Sequence, residues 1–200
     1  MEKSKVLIEG GTGYLGKRLV KSCLANGHDT YILQHPEIGV DIEKVEMLIS
    51  FKMYGAHLGT ASFNDHQSLV DAVKLVDVVI CAISSVHICS HHILLHLKLV
   101  DAIKEAGNIK RFFPYEFGTD PARMENAMEP GRVTIDDKMV VRKSIEEASI
   151  TYVSANCFAG YFLGGLCQIN HILPSTDCCL AWRWKPESSH GCYDHWTASF

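Results

Sequence analysis

Short apolar runs alternate along the chain with longer segments in which apolar residues recur every three or four positions. The short runs, such as KVLIE and DVVICA, are typical of strands buried within a parallel sheet. This pattern predicts strands at residues 6–9, 30–33, 57–60, 77–82, 111–114 and 152–155. It predicts helices at residues 14–26, 41–54, 65–73, 91–106 and 136–148.

The order of these elements predicts the fold class. Strands and helices alternate with short links, so each helix returns the chain to begin another strand in the same direction. Such crossovers are right-handed, and they predict an α/β fold, a Rossmann-type parallel sheet doubly wound by helices. Ligands of these sheets bind at the carboxyl ends of the strands, so the loops that follow the strands are the first candidates for a site.

The loop after the first predicted strand is rich in glycine and reads GGTGYLG. Gly10 permits a sharp turn, Gly13 lets backbone N–H groups approach a pyrophosphate, and Gly16 lets the helix pack closely on the strand. The N-terminus of that helix adds N–H donors and partial positive charge. A tight turn alone also needs glycine, but the position between strand and helix favours a dinucleotide site. The predicted cofactor-binding residues of the loop are Gly10, Gly11, Thr12, Gly13, Tyr14, Leu15 and Gly16.

The end of the second predicted strand, YILQHPEIG, bears on the choice of dinucleotide. NAD-binding sheets usually place a carboxylate there to bind the ribose hydroxyls, whereas this chain has Gln34 and His35. Without that carboxylate a 2′-phosphate is not repelled, so NADP is permitted. His35 could donate a hydrogen bond to the phosphate, and Lys44 on the following helix could reach it. The alternative for His35 is an exposed loop residue with no role in binding.

Composition and charge narrow the class of protein. The 200 residues are 47% hydrophobic and 21% charged, values typical of a soluble globular chain. A net charge of −4 offers no electrostatic basis for binding nucleic acid or an anionic membrane. No run approaches the roughly 18 apolar residues that span a bilayer, and the chain does not begin with a signal-like apolar region. We therefore expect a cytoplasmic protein without nucleic-acid or membrane partners.

The 8 cysteines and the clustered histidines raise the question of a metal site. No CxxC pair occurs, which argues against a zinc ribbon or a thioredoxin-like site. Cysteines that lie singly in apolar or helical runs are expected to be small buried hydrophobes, and these are Cys23, Cys81, Cys89, Cys157 and Cys167. Two groups of candidate ligands remain, namely His91, His92 and His96, and, near the end of the chain, Cys178, Cys179, His190, Cys192 and His195. Neither group has a convincing ligand pattern, so we expect no metal.

Lys138, in the segment TIDDKMVVRK of the fifth predicted helix, is a candidate catalytic residue. Short-chain dehydrogenases place a lysine in this region four residues after a tyrosine, but here Thr134 occupies the earlier position. A lysine serves as a general base near neutral pH only where burial or nearby positive charge lowers its pKa. Met139 and Val140 would supply apolar neighbours, and two adjacent aspartates would oppose them. The spacing alone leaves a solvated surface lysine as the alternative.

Six longer stretches carry a family resemblance: VLIEGGTGYLGKRLV, QHPEIGVDIEKV, LVDVVICAIS, FFPYEFGTDPAR, EPGRVTIDDKMVVRKSIEEA and NCFAGYFLGG. They closely resemble the plant isoflavone reductase-like family, an NmrA-type, atypical branch of the short-chain reductases, over residues 3–168. The resemblance implies NADPH as cofactor, the glycine loop as its binding site, and Lys138 as a catalytic lysine that works without the usual tyrosine. It also implies a homodimer.

The resemblance implies an activity as well, the reduction of furofuran lignans, which are small molecules. NADPH would deliver hydride to a benzylic carbon, and Lys138 would take the proton of the para-phenol. The alternatives are a reductase of phenylcoumaran benzylic ethers or of isoflavones, a non-catalytic NADP-binding fragment, and a chain that does not fold stably.

Several positions depart from the family pattern. His35 stands where the family has an arginine that would hold the 2′-phosphate, Tyr115 stands in place of a serine, and the segment EEASITYVSAN is shortened. After Gln168 the resemblance ends and no helix or strand period is kept. We expect an NADP-binding domain at residues 1–156, the start of an otherwise missing substrate domain at 157–168, and a frameshifted or disordered tail at 169–200.

Overall fold

The structure is a computed structural model, and it describes residues 3–34, 41–83, 92–118, 120–124, 126–129 and 131–155. These residues lie within the first of two compact units, Met1–Phe158, and the second unit is Ala159–Phe200. The strands are β1 (Lys5–Glu9), β2 (Asp29–Gln34), β3 (His57–Thr60), β4 (Val78–Cys81) and β5 (Arg111–Phe113). The α-helices are α1 (Gly16–Ala25), α2 (Ile42–Met53), α3 (His66–Lys74), α4 (Leu95–Ala106) and α5 (Gly131–Glu147). Short 3-10 turns lie at His92–Leu94 and Pro121–Arg123.

The five strands form one parallel sheet in the order β3-β2-β1-β4-β5. The predicted fold class, a doubly wound parallel sheet, is therefore confirmed. The register pairs Glu9 of β1 with Leu33 of β2 on one side and with Cys81 of β4 on the other. The strand order reverses between β1 and β4, which is the position where such sheets bind their ligands.

Apolar side chains cover both faces of the sheet, because successive residues of a strand point to opposite sides. On one face, Val20 of α1 and Phe51 of α2 pack with Ile8 and Ile32. On the other face, residues of α3, α4 and α5 pack in one cluster with Phe112. Since the central strands are buried on both sides, their sequences are apolar runs and do not alternate with polar residues.

The ends of several elements differ from the prediction. Asp41 and Asp65, which were predicted to be helical, are the N-caps of α2 and α3, and their carboxylates accept backbone N–H hydrogen bonds. Helix α5 begins at Gly131, before the predicted residue 136. The prediction missed this first part of the helix because its residues are largely exposed and lack an apolar period. The last predicted strand is reduced to a parallel bridge between Phe112 and Tyr152. Across the described ranges, every helix is too short or too polar to traverse a lipid bilayer.

Candidate functional site

The glycine loop begins where β1 ends and packs against the end of β4. Gly10 has a φ of 74°, a left-handed conformation that residues with side chains rarely adopt. A Cβ atom at this position would lie 2.6 Å from the carbonyl oxygen of Ala82, which follows β4. The loop therefore lies at the carboxyl end of β1, as the sequence predicted, and at the reversal of strand order.

Gly13 and Gly16 differ in what they contribute to the loop. The Gly13 N–H donates a hydrogen bond to the Gly10 carbonyl oxygen at 2.9 Å, which closes the turn. A Cβ atom at Gly16 would overlap that same carbonyl oxygen, so the close packing of α1 on β1 requires glycine there. A Cβ atom at Gly13 would lie 3.2 Å from it, which a small local shift can relieve. Gly13 therefore allows binding to be tested separately from folding.

Helix α1 begins directly after the loop, so the positive end of its dipole lies there. Leu15, the N-cap, makes no side-chain capping hydrogen bond, and the first turn of α1 contains no acidic residue. The Arg18 side chain donates to the Tyr14 carbonyl oxygen at 2.7 Å and lies over the Tyr14 ring. Thr12 is half-buried, and the Arg18 guanidinium is a positive charge beside the loop, which suits an anionic group.

The residues predicted to select NADP lie at the end of β2 and the start of α2. Gln34 is the last residue of β2 and is half-buried. His35 lies outside the residues that the structure describes, so its predicted contact with a phosphate stays a prediction. Lys44 lies in the first turn of α2, and its Nζ is 2.9 Å from Asp41 Oδ2. This contact holds the pKa of Asp41 below its usual value, and a phosphate would have to share the Lys44 ammonium with that carboxylate.

Lys138 lies on α5, and its ammonium group lies near the ring of Tyr115. Its Nζ is 4.8 Å from the centroid of the Tyr115 ring, a distance typical of a cation–π contact. Met139 and Val140, which the sequence offered as apolar neighbours of Lys138, are 39% and 49% exposed. Successive helical residues point about 100° apart, so neighbours in sequence face away from Lys138. The structure thus brings Lys138 next to an aromatic ring contributed by the segment after β5.

Glu116 and Arg142 form an ion pair that the sequence did not predict. The Arg142 Nε and Nη2 atoms donate to the two carboxylate oxygens of Glu116 at 2.9 and 2.7 Å. Its Nη1 atom donates to Asp120 at 3.0 Å. These contacts raise the pKa of Arg142, chiefly through the hydrogen bonds to Glu116. Because Arg142 lies one helical turn after Lys138, the pair joins α5 to the Glu116 segment and so positions Lys138 beside Tyr115.

A second unpredicted cluster lies beneath the glycine loop and consists of Glu9, Cys81 and His96, all buried. The His96 Nε2 is 3.9 Å from Glu9 Oε2. Burial lowers the pKa of His96, Lys138 acts in the same direction, and the Glu9 carboxylate opposes both. Burial also raises the pKa of the Cys81 thiol, and Glu9 adds to that shift. Two features of the sequence could have indicated this cluster: Glu9 is a charged residue at the end of an apolar strand, and His96 lies on the apolar face of a helix.

The other candidate metal ligands lie outside the part of the chain that the structure describes. His91 and the side chain of His92 lie outside the described part, and His96 faces the core. The cysteines and histidines of the predicted tail, from Cys178 to His195, also lie outside it. Cys23 on α1 is half-buried, and its burial raises the pKa of its thiol to about 11.

Comparisons with known proteins agree with this geometry. The model of the NmrA-like family matches residues 2–184. Bifunctional pinoresinol-lariciresinol reductases of Linum album and Linum corymbulosum are each 78% identical, over 176 and 178 residues, which cover 87% and 88% of this chain. A solved structure of AtPrR2 with NADP+ and (+)-pinoresinol is 60% identical with a TM-score of 0.76, and the match covers 87% of this chain and 56% of that one. The chain spans about half the length of these relatives, 54% and 56% for the two Linum proteins.

Proposed function

Because the chain belongs to the NmrA-like family, we propose that residues 1–156 form the cofactor-binding domain of an NADPH-dependent reductase of furofuran lignans. The proposed reaction converts pinoresinol to lariciresinol, and a second reduction of the same kind would give secoisolariciresinol. The observation that carries the proposal is the 78% identity with the Linum album reductase over 176 residues. The position of the glycine loop, where the strand order of the sheet reverses, supports the proposed cofactor binding.

In this proposal the glycine loop holds the cofactor pyrophosphate. The positive end of the α1 dipole would face its oxygens, and Arg18 would add a positive charge beside Tyr14. Gln34 and Lys44 would lie on the side of the adenosine ribose, since they end β2 and begin α2. When bound, NADPH supplies the hydride that reduces a benzylic carbon of the lignan.

Lys138 would be the general base for the lignan. Its neutral amine would take the proton of the substrate's para-phenol, from within about 3 Å or through one water. The resulting phenolate breaks the benzylic C–O bond of the cyclic ether and gives a quinone methide and an alkoxide, which takes a proton from water. The benzylic carbon would then accept hydride, and the phenolate that this restores would take back the proton held by Lys138. The Tyr115 ring, 4.8 Å from the Lys138 Nζ, would position that side chain for the substrate phenol.

Two alternatives stay open because the chain spans only about half of its relatives. A reductase of phenylcoumaran benzylic ethers or isoflavones would bind NADPH in the same way, and assays of these substrates side by side distinguish them from lignans. A non-catalytic NADP-binding chain would bind the cofactor without oxidising it when pinoresinol is added.

The predicted homodimer, the cytoplasmic location and the division at residues 156 and 168 stay predictions, although the family match extends past Gln168 to residue 184.

Replacing Gly13 with valine should abolish NADPH binding while the fold is kept. A Cβ atom here meets the Gly10 carbonyl oxygen at 3.2 Å, which the loop can accommodate, but a branched side chain would occupy the space that the pyrophosphate needs. Binding is measured by fluorescence titration with NADPH, and folding by circular dichroism. Gly131→Val is the matched control, because a Cβ atom at Gly131 has no atom within 4 Å. Unchanged affinity in a folded Gly13→Val chain would mean that the loop is only a turn.

The chain should bind NADPH more tightly than NADH, and His35→Arg should increase that preference. Gln34 ends β2 without a carboxylate to repel a 2′-phosphate, and a guanidinium can bind a phosphate through two parallel hydrogen bonds. Titrations of both cofactors with both chains measure the ratio of dissociation constants. Tighter binding of NADH by the original chain would contradict the proposed cofactor.

A further inference from the structure

We propose that Glu9, Cys81 and His96 form a buried binding site for a divalent metal ion of the zinc type. Glu9 ends β1, Cys81 is its register partner at the end of β4, and His96 lies on α4. Their donor atoms all lie within 4.8 Å of one another, and all three residues are buried. A carboxylate, a thiolate and an imidazole together are a donor set that suits Zn²⁺.

The His96 imidazole is the second observation that points to a ligand. Its Nε2 atom is buried and has no hydrogen-bond partner among the residues that the structure describes. It lies 3.9 Å from Glu9 Oε2, which is too far for a hydrogen bond. Two ligands of one tetrahedral zinc ion lie about 3.5 Å apart, given bonds of about 2.0–2.3 Å. The three side chains would therefore need to move inward by only about 1 Å to share an ion.

Charge balance favours the same occupant. Zn²⁺ with a Cys81 thiolate, a Glu9 carboxylate and a neutral His96 has no net charge, so the ion would compensate the charges of both buried anionic ligands. Binding releases the Cys81 thiol proton, and a proton from Glu9 if the carboxyl is protonated, and it transfers no electron. A water molecule would complete the tetrahedron. Since Gly10 directly follows Glu9 and packs on Ala82, the ion would lie beneath the glycine loop.

The test is a titration of the purified 200-residue chain with Co²⁺ after treatment with a chelator. Co²⁺ replaces Zn²⁺ in such sites, and a thiolate ligand gives a charge-transfer band in the near ultraviolet. We expect one band that equimolar Zn²⁺ removes. Cys81→Ser should abolish the band, and His96→Gln should raise the dissociation constant by more than about 100-fold, beyond the effect of losing an outer-shell partner.

The controls separate this cluster from the other thiols of the chain. Cys23→Ser removes a half-buried thiol from α1, and the double variant Cys178→Ser/Cys179→Ser removes the adjacent pair of the tail, so both should keep the band. If circular dichroism shows that Cys81→Ser is unfolded, the melting temperatures of the original chain and of His96→Gln test the site instead. Zn²⁺ should raise the melting temperature of the original chain and leave that of His96→Gln unchanged. The proposal is overturned if the original chain gives no band, if Cys81→Ser keeps it, or if the tail variant loses it.

Discussion

Replacing Arg142 with methionine should lower the free energy of unfolding by about 3–5 kcal/mol. Arg142 makes two hydrogen bonds to Glu116, whose side chain is only 5% exposed, and a third to Asp120. Methionine keeps most of the aliphatic volume but leaves the Glu116 carboxylate buried without its counterion. Urea unfolding followed by circular dichroism measures the loss.

The same substitution elsewhere on α5 provides the control. Arg132 contacts Asp136 at 3.5 Å, but both side chains are more than half exposed, so Arg132→Met should change the stability by less than about 0.5 kcal/mol. Adding Glu116→Gln to Arg142→Met should recover part of the loss, because the unpaired charge is then removed. Equal losses for the two arginine variants would mean that the Glu116 pair does not stabilise α5.

Replacing Lys138 with alanine should lower the rate of lignan reduction by about 10²–10⁴-fold, the usual cost of losing a general base. The measurement needs a chain whose residues after Ser175 are replaced by the continuation of the Linum album relative, because the original chain spans 54% of that protein. We expect this completed chain to reduce pinoresinol, and the original 200-residue chain to show little or no turnover.

Two further measurements test whether the loss of rate in Lys138→Ala comes from proton transfer by this residue. NADPH affinity should stay largely unchanged in Lys138→Ala, since the proposed role is proton transfer to and from the lignan. Lys143→Ala is the matched control on the same helix, because Lys143 is 77% exposed and pairs with Glu147, so its loss should leave the rate unchanged. Equal turnover with alanine at position 138 would mean that another group is the base, and loss of NADPH binding would make Lys138 a cofactor-binding residue.

The sequence by itself determined the kinds of elements and their order. Apolar runs and three-to-four-residue periods are local signals, so the five strands of the sheet and its five α-helices all lie at predicted places. The glycine loop was predictable for the same reason, since the turn at Gly10 and the close packing of Gly16 on Gly10 are local, although the contact of Gly10 with Ala82 is not. Element ends were less predictable, because a cap such as Asp41 is set by a hydrogen bond that periodicity does not record.

The tertiary structure alone decided which side chains meet. Arg142 and Glu116 are 26 positions apart, and no spacing rule connects them. Lys138 contacts the Tyr115 ring because the rotation of α5 about its axis follows from packing on the sheet. The cluster around His96 likewise depends on the register of two strands and on where α4 crosses them. These contacts join residues that are distant along the chain, and their geometry follows from strand order, register and helix rotation, which local patterns do not contain.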